Sequence, residues 1–147
     1  MEILLIEDDE AVREFIREVL LGEGYFVSVA GNGNEGLAAI KSDPDIGMVI
    51  TDIVMPETEG IETIIEIKQG WPHIKILAIS GGGRICAEDY LHIAMALGAG
   101  ITLKKPFTRP ELLGAVAELA GHESPDAKIP VFGDYPAVAE ISGEVAV

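Results

Sequence analysis

The chain has 147 residues, of which 48% are hydrophobic but only 5% aromatic, and its formal net charge at pH 7 is −15. This length suits one domain with a sizeable core and leaves no room for a second large domain. Ten Lys and Arg residues against 25 acids argue against non-specific binding to nucleic acid and against docking on anionic membranes, because both need clustered positive charge.

The cysteine and histidine content and the hydropathy pattern do not indicate a disulfide, a metal site or a transmembrane helix. Cys86 is the only cysteine, so no disulfide framework is expected, and the three histidines lack metal-ligand spacing. No apolar run approaches the length of a transmembrane helix, and the N-terminus enters an acid-ended strand instead of a basic leader. We therefore expect a soluble cytoplasmic protein.

The first predicted unit is a strand, an acidic turn and a helix. Ile3–Ile6 is a continuous apolar run, which is typical of a strand covered on both faces. Four acids, Glu7–Glu10, separate it from a segment with apolar residues at helical spacing. Capping of the helix accounts for Asp9 or Glu10, but four crowded acids exceed what capping needs. A divalent metal is the natural partner for the others.

The central predicted strand, Ile46–Thr51, delivers Asp52 to a turn enforced by Met55-Pro56. A lone carboxylate at a strand end is ordinarily a turn or capping residue. Two further strands also end in polar residues, because Ser80 follows Ile76–Ile79 and Lys105 closely follows Ile101–Leu103. In a parallel α/β sheet all carboxyl ends share one edge, so these polar residues are expected to converge there with Glu7-Asp8.

The remaining segments complete an alternating pattern. A second strand is predicted at Tyr25–Ala30, helices are predicted after each strand, and Thr108–Glu111 fits a capping box that opens the last helix. The Lys105-Pro106 bond can be cis and would then aim Lys105 into the crevice. The glycines after Ser80 match a phosphate-binding P-loop only weakly, since the Gly-Lys-Ser/Thr ending is missing. Residues 122–147 are predicted to be an extension or linker stub without an independent fold.

Five strand–helix units with polar residues at these strand ends resemble the receiver domain of two-component response regulators. The resemblance covers residues 1–121 and implies an α/β flavodoxin-like fold with a doubly wound, five-stranded parallel sheet in the order 2-1-3-4-5. The residues that carry it, in chain order, are Glu7-Asp8, Asp52 before Met55-Pro56, Ser80, and Lys105-Pro106-Phe107.

The resemblance implies a role for each of these residues. Asp52 would accept a phosphoryl group from a sensor histidine kinase or a histidine phosphotransfer protein. Mg²⁺ would be held directly by Asp8 and Asp52, mainly through water by Glu7, and by the backbone carbonyl of Val54. Ser80 and Lys105 would contact the phosphoryl oxygens.

The expected output is a change in protein–protein interactions. The protein would act as a signalling switch and not as a dedicated enzyme. Its signal-bearing face, which is also a candidate homodimer surface, would be formed by the fourth and fifth predicted helices and the fifth strand. A downstream protein target is expected, without direct nucleic-acid binding.

Two positions depart from the family pattern. Thr102 stands three residues before Lys105, where an aromatic switch residue is common, and Glu59 stands before Gly60, where an aspartate is common. The first departure puts aromatic gating of the output face in doubt, whereas the second leaves the phosphorylation chemistry intact.

Three other interpretations compete with a stand-alone phosphoacceptor. The chain could be a phosphorylation-independent interaction module of the same fold, or a receiver fragment of a longer regulator. It could also be an aspartyl-phosphate hydrolase of the haloacid dehalogenase type, but that family has a second acid two residues after the nucleophile, where this chain has Val54.

Overall fold

The five predicted strands form one parallel sheet. The computed structural model describes residues 2–53, 59–80, 95–96 and 98–121. The strands are β1 (Glu2–Ile6), β2 (Phe26–Ala30), β3 (Ile46–Asp52), β4 (Lys75–Ser80) and β5 (Ile101–Lys104). The described helices of at least one turn are α1 (Glu10–Gly22), α2 (Gly33–Ser42), α3 (Glu59–Gly70) and α4 (Arg109–Ala120).

The sheet order is β2-β1-β3-β4-β5, and every pairing is parallel. This confirms the predicted doubly wound α/β fold. Helix α4 is the fifth helix predicted from the sequence. Of the fourth predicted helix, only Met95 and Ala96 among the described residues are helical. The predicted C-terminal extension lies outside the described residues.

Strands β1, β3 and β4 are almost entirely buried because helices cover both faces of the sheet there. In β1, Ile3 and Leu5 pack into one core while Leu4 and Ile6 pack into the other, as expected from alternating side-chain direction. One core includes residues of α1 and α4, and the other includes residues of α2 and α3. Trp71 packs against the second core at the end of α3, as predicted.

Local capping explains where two helices begin. The Asp9 side chain accepts hydrogen bonds from the backbone N–H groups of Ala11 and Val12, so Asp9 is the N-cap of α1. Thr108 and Glu111 form the reciprocal capping box predicted for α4. Helix α4 ends at Gly121, whose φ of 91° is left-handed and suits glycine. None of the helices in the described ranges has the length and apolarity that a bilayer crossing requires.

The sheet register brings the carboxyl ends of four strands to one edge. Ile6, the last residue of β1, pairs with Thr51 of β3. Asp52 pairs with Ile79, and Ser80 pairs with Lys104. The residues that follow or end these strands are therefore neighbours, as the sequence predicted.

Candidate functional site

Asp52, Glu7 and Lys105 meet at the carboxyl edge of the sheet. The Lys105 ammonium nitrogen lies 3.0 Å from Oδ2 of Asp52 and 3.5 Å from Oε1 of Glu7. Glu7 is 1% exposed and Asp52 is 5% exposed, so both carboxylates are almost withdrawn from water. Their side chains come from different strand ends and are separated by 45 positions in the chain, so only the fold brings them together.

Glu7 is held by contacts from the start of α1. The backbone N–H of Asp9 donates to Oε2 of Glu7 at 3.1 Å, and the Arg13 guanidinium donates to the Glu7 carbonyl oxygen at 2.9 Å. Asp9 therefore caps the helix with its side chain while its backbone orients the neighbouring carboxylate. These contacts fix Glu7 at the end of β1 although its charge is buried.

The surroundings shift the acidity of both partners. Burial raises the pKa of Glu7, and the nearby Asp52 carboxylate adds to that rise; the Asp9 N–H and Lys105 oppose it, and the result is a pKa of about 7. For Lys105, burial acts to lower the pKa, but the Asp52 and Glu7 carboxylates outweigh it and leave the pKa above its usual value. The ammonium is therefore kept charged by the two acids it contacts.

The backbone connects this cluster to Ser80. The Lys105 N–H donates to the Ser80 carbonyl oxygen at 2.8 Å, and the Lys105–Pro106 peptide bond is cis, as predicted. The Ser80 side chain is completely buried, and its hydroxyl has no hydrogen-bond partner within the described part of the chain. Ser80 thus lies at the predicted edge with a buried hydroxyl for which the described residues supply no partner.

Three carboxylates form a group suited to a hard cation. One carboxylate oxygen from each of Glu7, Asp8 and Asp52 lies within 4.8 Å of the other two. Glu7 and Asp52 are buried, whereas Asp8 is exposed and faces the solvent from which a hydrated ion would arrive. Oxygen ligands with room for water match the preference of Mg²⁺. Val54, whose carbonyl was predicted to join this group, lies outside the described residues.

Three contributors to this edge were missed by sequence reasoning. Arg13 supports Glu7 from the second turn of α1, and the Thr51 hydroxyl donates to the Asp52 carbonyl oxygen at 3.1 Å. Gly60 packs directly against the backbone at Asp52 and Ile53. No sequence signal distinguishes Arg13 or Thr51 from ordinary helix and strand residues. Gly60 entered the sequence analysis only as the residue that follows Glu59.

A parallel sheet in this order, with acids and a lysine at its carboxyl edge, is a flavodoxin-like fold with a charged site. The chain belongs to the response regulator receiver domain family, whose model matches residues 3–117. Receiver domains of this family are signalling modules.

Two relatives illustrate the match. The chemotaxis protein CheY of Halobacterium salinarum is 34% identical over 119 residues, which cover 80% of this chain and 95% of that protein. The response regulator MprA of Mycolicibacterium vanbaalenii is 33% identical over 127 residues, which cover 86% of this chain. This chain spans about half the length of MprA, since the match covers 53% of that protein.

Solved structures agree with the fold. A CheY-like receiver domain protein from Methanospirillum hungatei superposes with a TM-score of 0.73 at 27% identity, covering 82% of this chain and 94% of that one. A receiver domain protein from Clostridium thermocellum gives a TM-score of 0.73 at 32% identity, covering 80% of this chain and 92% of that one.

Proposed function

We propose that this protein is a phosphoacceptor response regulator in a two-component phosphorelay and that Asp52 is the residue phosphorylated. One observation carries the proposal: the buried Asp52 carboxylate lies 3.0 Å from the Lys105 ammonium, next to two further carboxylates that can share a cation. If the Asp52–Lys105 contact were only a structural ion pair, the further carboxylates of Glu7 and Asp8 would not be needed beside it. Membership in the receiver family supports the same role.

The reaction is a transfer of one phosphoryl group. A carboxylate oxygen of Asp52 attacks the phosphorus of a phosphohistidine, a new P–O bond forms, the P–N bond breaks, and the leaving imidazole takes up a proton from solvent. The product is an acyl phosphate on Asp52. Because charge spreads over the phosphoryl oxygens during such a transfer, catalysis depends mainly on positioning and on nearby positive charge.

The acidic group would hold Mg²⁺ through Asp8 and Asp52, with Glu7 acting mainly through water and the Val54 carbonyl completing the protein's share. When bound, Mg²⁺ supplies the positive charge that neutralises the acids and stabilises the phosphoryl oxygens. The residues themselves prepare the site: Asp9 and Arg13 fix Glu7, and burial excludes bulk water from Asp52.

Lys105 and Ser80 would contact the incoming phosphoryl group. Lys105 already contacts Asp52 and needs only to exchange a carboxylate oxygen for a phosphoryl oxygen. The Ser80 hydroxyl has no partner in the described region, and we expect it to donate to the same group. Satisfying this buried hydroxyl would favour a rearranged state at the end of β4, which is how one modification can shift a conformational equilibrium.

The partners follow from the proposed role. A sensor histidine kinase or a histidine phosphotransfer protein would donate the phosphoryl group in the cytoplasm, and a downstream protein would recognise the modified state. The face that includes β5 and α4 is the candidate surface for that target or for a homodimer. Direct nucleic-acid binding is not expected, given 25 acids against ten basic residues.

The test is intact-mass spectrometry after incubation with acetyl phosphate. We expect a gain of one phosphoryl group that requires Mg²⁺ and disappears in Asp52→Asn. Asp45→Asn is the matched control, because Asp45 is an exposed acid just before β3, at the opposite edge of the sheet, and should leave the gain unchanged. If a folded wild-type protein gained no mass, a phosphorylation-independent interaction module would be favoured instead.

A further inference from the structure

Gly60 is the second residue of α3, and the structure leaves no space for a side chain there. A Cβ atom at Gly60 would lie 2.4 Å from the Ile53 Cα and 2.5 Å from the Asp52 carbonyl oxygen. Both distances are far below van der Waals contact, and both partners are backbone atoms that cannot rotate away. Gly60 does not have a positive φ, so the requirement is for room and not for a left-handed conformation.

The backbone that meets Gly60 is restrained on its other side. The Ile53 N–H donates to the Ile79 carbonyl oxygen of β4 at 2.9 Å. The Thr51 hydroxyl donates to the Asp52 carbonyl oxygen at 3.1 Å. The end of β3 is therefore fixed against β4, and a side chain at Gly60 must displace either that strand end or the start of α3.

We propose that Gly60 is a positioning residue for the phosphoacceptor site. By letting the start of α3 lie directly on the Asp52–Ile53 backbone, Gly60 fixes the depth and direction at which the Asp52 carboxylate meets Glu7 and Lys105. The inference rests on the function proposed above for Asp52. It assigns the glycine a role in the reaction geometry beyond its place in the first turn of α3.

Other glycines separate this role from general effects of substitution. Gly70 lies in the same helix, and an added Cβ there meets nothing within 4 Å. Gly100, at the opposite edge of the sheet, would place its Cβ 2.7 Å from a methyl group of Leu119, which is a side-chain clash remote from the site. Gly70→Ala tests the gain in helix propensity, and Gly100→Ala tests steric destabilisation.

The experiment compares Gly60→Ala with these two variants by three measurements: the rate of acetyl phosphate-driven phosphorylation, its dependence on Mg²⁺ concentration, and the thermal midpoint. We expect Gly60→Ala to lower the phosphorylation rate at saturating Mg²⁺ by about 10- to 100-fold, because displacements on the order of 1 Å have effects of that size on positioned reactions. Gly70→Ala should leave the rate unchanged. Gly100→Ala should lower the thermal midpoint without changing the rate of the folded protein.

The outcomes separate this inference from the proposed function. A wild-type protein that is never phosphorylated overturns the function of Asp52 itself. A folded Gly60→Ala variant with wild-type rate and wild-type Mg²⁺ dependence overturns only the positioning role of Gly60. If Gly60→Ala does not fold, the substitution is repeated together with Gly70→Ala and Gly114→Ala, two unobstructed helix positions where alanine should add stability. The same comparison of phosphorylation rates then tests the positioning role of Gly60.

Discussion

The strands of this sheet differ sharply between their interiors and their carboxyl ends. Along β3, Met48, Val49 and Ile50 are completely buried among aliphatic side chains, whereas Asp52, two residues further, is a buried acid facing Glu7 and Lys105. The interior gains stability from removing apolar surface from water. The edge buries charge instead, which costs stability unless the charges are paired.

The two regions are therefore under different physical constraints, which are packing in the strand interiors and charge at the carboxyl edge. The interior can be optimised for packing alone, but the edge keeps two carboxylates close together around one described ammonium group. Such an arrangement is expected where a site is poised for a cation and a further anion. Substitutions in the interior should therefore affect stability, and substitutions at the edge should affect pH dependence and phosphorylation.

The largest stability effect is expected in the interior. Ile50→Ala removes a completely buried side chain from the core and should lower the free energy of unfolding by about 2 to 5 kcal/mol. Phe26→Ala is the control, since Phe26 is 71% exposed, and should change it by less than about 0.5 kcal/mol. Urea denaturation measures both. Equal losses for the two variants would contradict the distinction between core and surface.

A pH-dependent effect is expected at the edge. The pKa of Glu7 is raised from 4.5 to about 7. Between these two pH values the folded state therefore holds a proton that the unfolded state has released. The stability contributed by protonated Glu7 is fully present below pH 4.5 and is lost as the pH rises through about 7. By pH 8 this loss is complete and is on the order of a few kcal/mol.

Glu7→Gln should remove that dependence. In metal-free buffer, we expect the variant to gain stability relative to the wild type as the pH rises from about 5 to about 8, and added Mg²⁺ to reduce the difference by neutralising the acids. Glu18→Gln, which changes an exposed acid of α1, should show no such trend. Unfolding free energies that differ by a constant amount across this range would contradict a buried, proton-binding Glu7.

The smallest effect concerns two buried threonines. Thr51 donates a hydrogen bond to the Asp52 carbonyl oxygen, whereas the Thr102 hydroxyl has no partner within the described residues. Thr51→Val should lower the free energy of unfolding by about 1 kcal/mol, and Thr102→Val should raise it by about 1 kcal/mol. Chemical denaturation of the pair measures the difference. A loss of stability in Thr102→Val would mean that this hydroxyl is hydrogen-bonded in solution.

Much of the fold could be predicted because local signals and tertiary structure agree. Continuous apolar runs are typical of strands covered on both faces, and the runs that predicted β1, β3 and β4 form buried strands of the parallel sheet. The segment Tyr25–Ala30 contains β2, which is a partly exposed strand at one side of the same sheet. Residue types at helix starts also carried local information, as the Asp9 cap and the Thr108–Glu111 capping box show. Strand ends differed from the structure by one residue in several elements, since the pairing that decides them is not local.

The convergence of the site's side chains at one edge could be predicted from the sequence, but the details of their arrangement could not. The rule that parallel strands end at one edge was enough to place Glu7, Asp52 and Lys105 together. It could not predict that Glu7 would be buried and Asp8 exposed, because the turn after β1 decides which acid points inward. The close approach of Gly60 to the Asp52 backbone depends on how a helix packs on a strand end, which no sequence spacing encodes.

Locating the phosphoryl group is the most direct test of the central claim. Borohydride reduces an acyl phosphate to an alcohol, so phosphorylated Asp52 would become homoserine, and peptide mass spectrometry would locate the change. After incubation with acetyl phosphate and Mg²⁺, we predict this conversion in the peptide that contains Asp52 and at no other acid. Conversion at Glu7 or Asp8 instead, or no conversion in a protein that remains folded, would contradict the account.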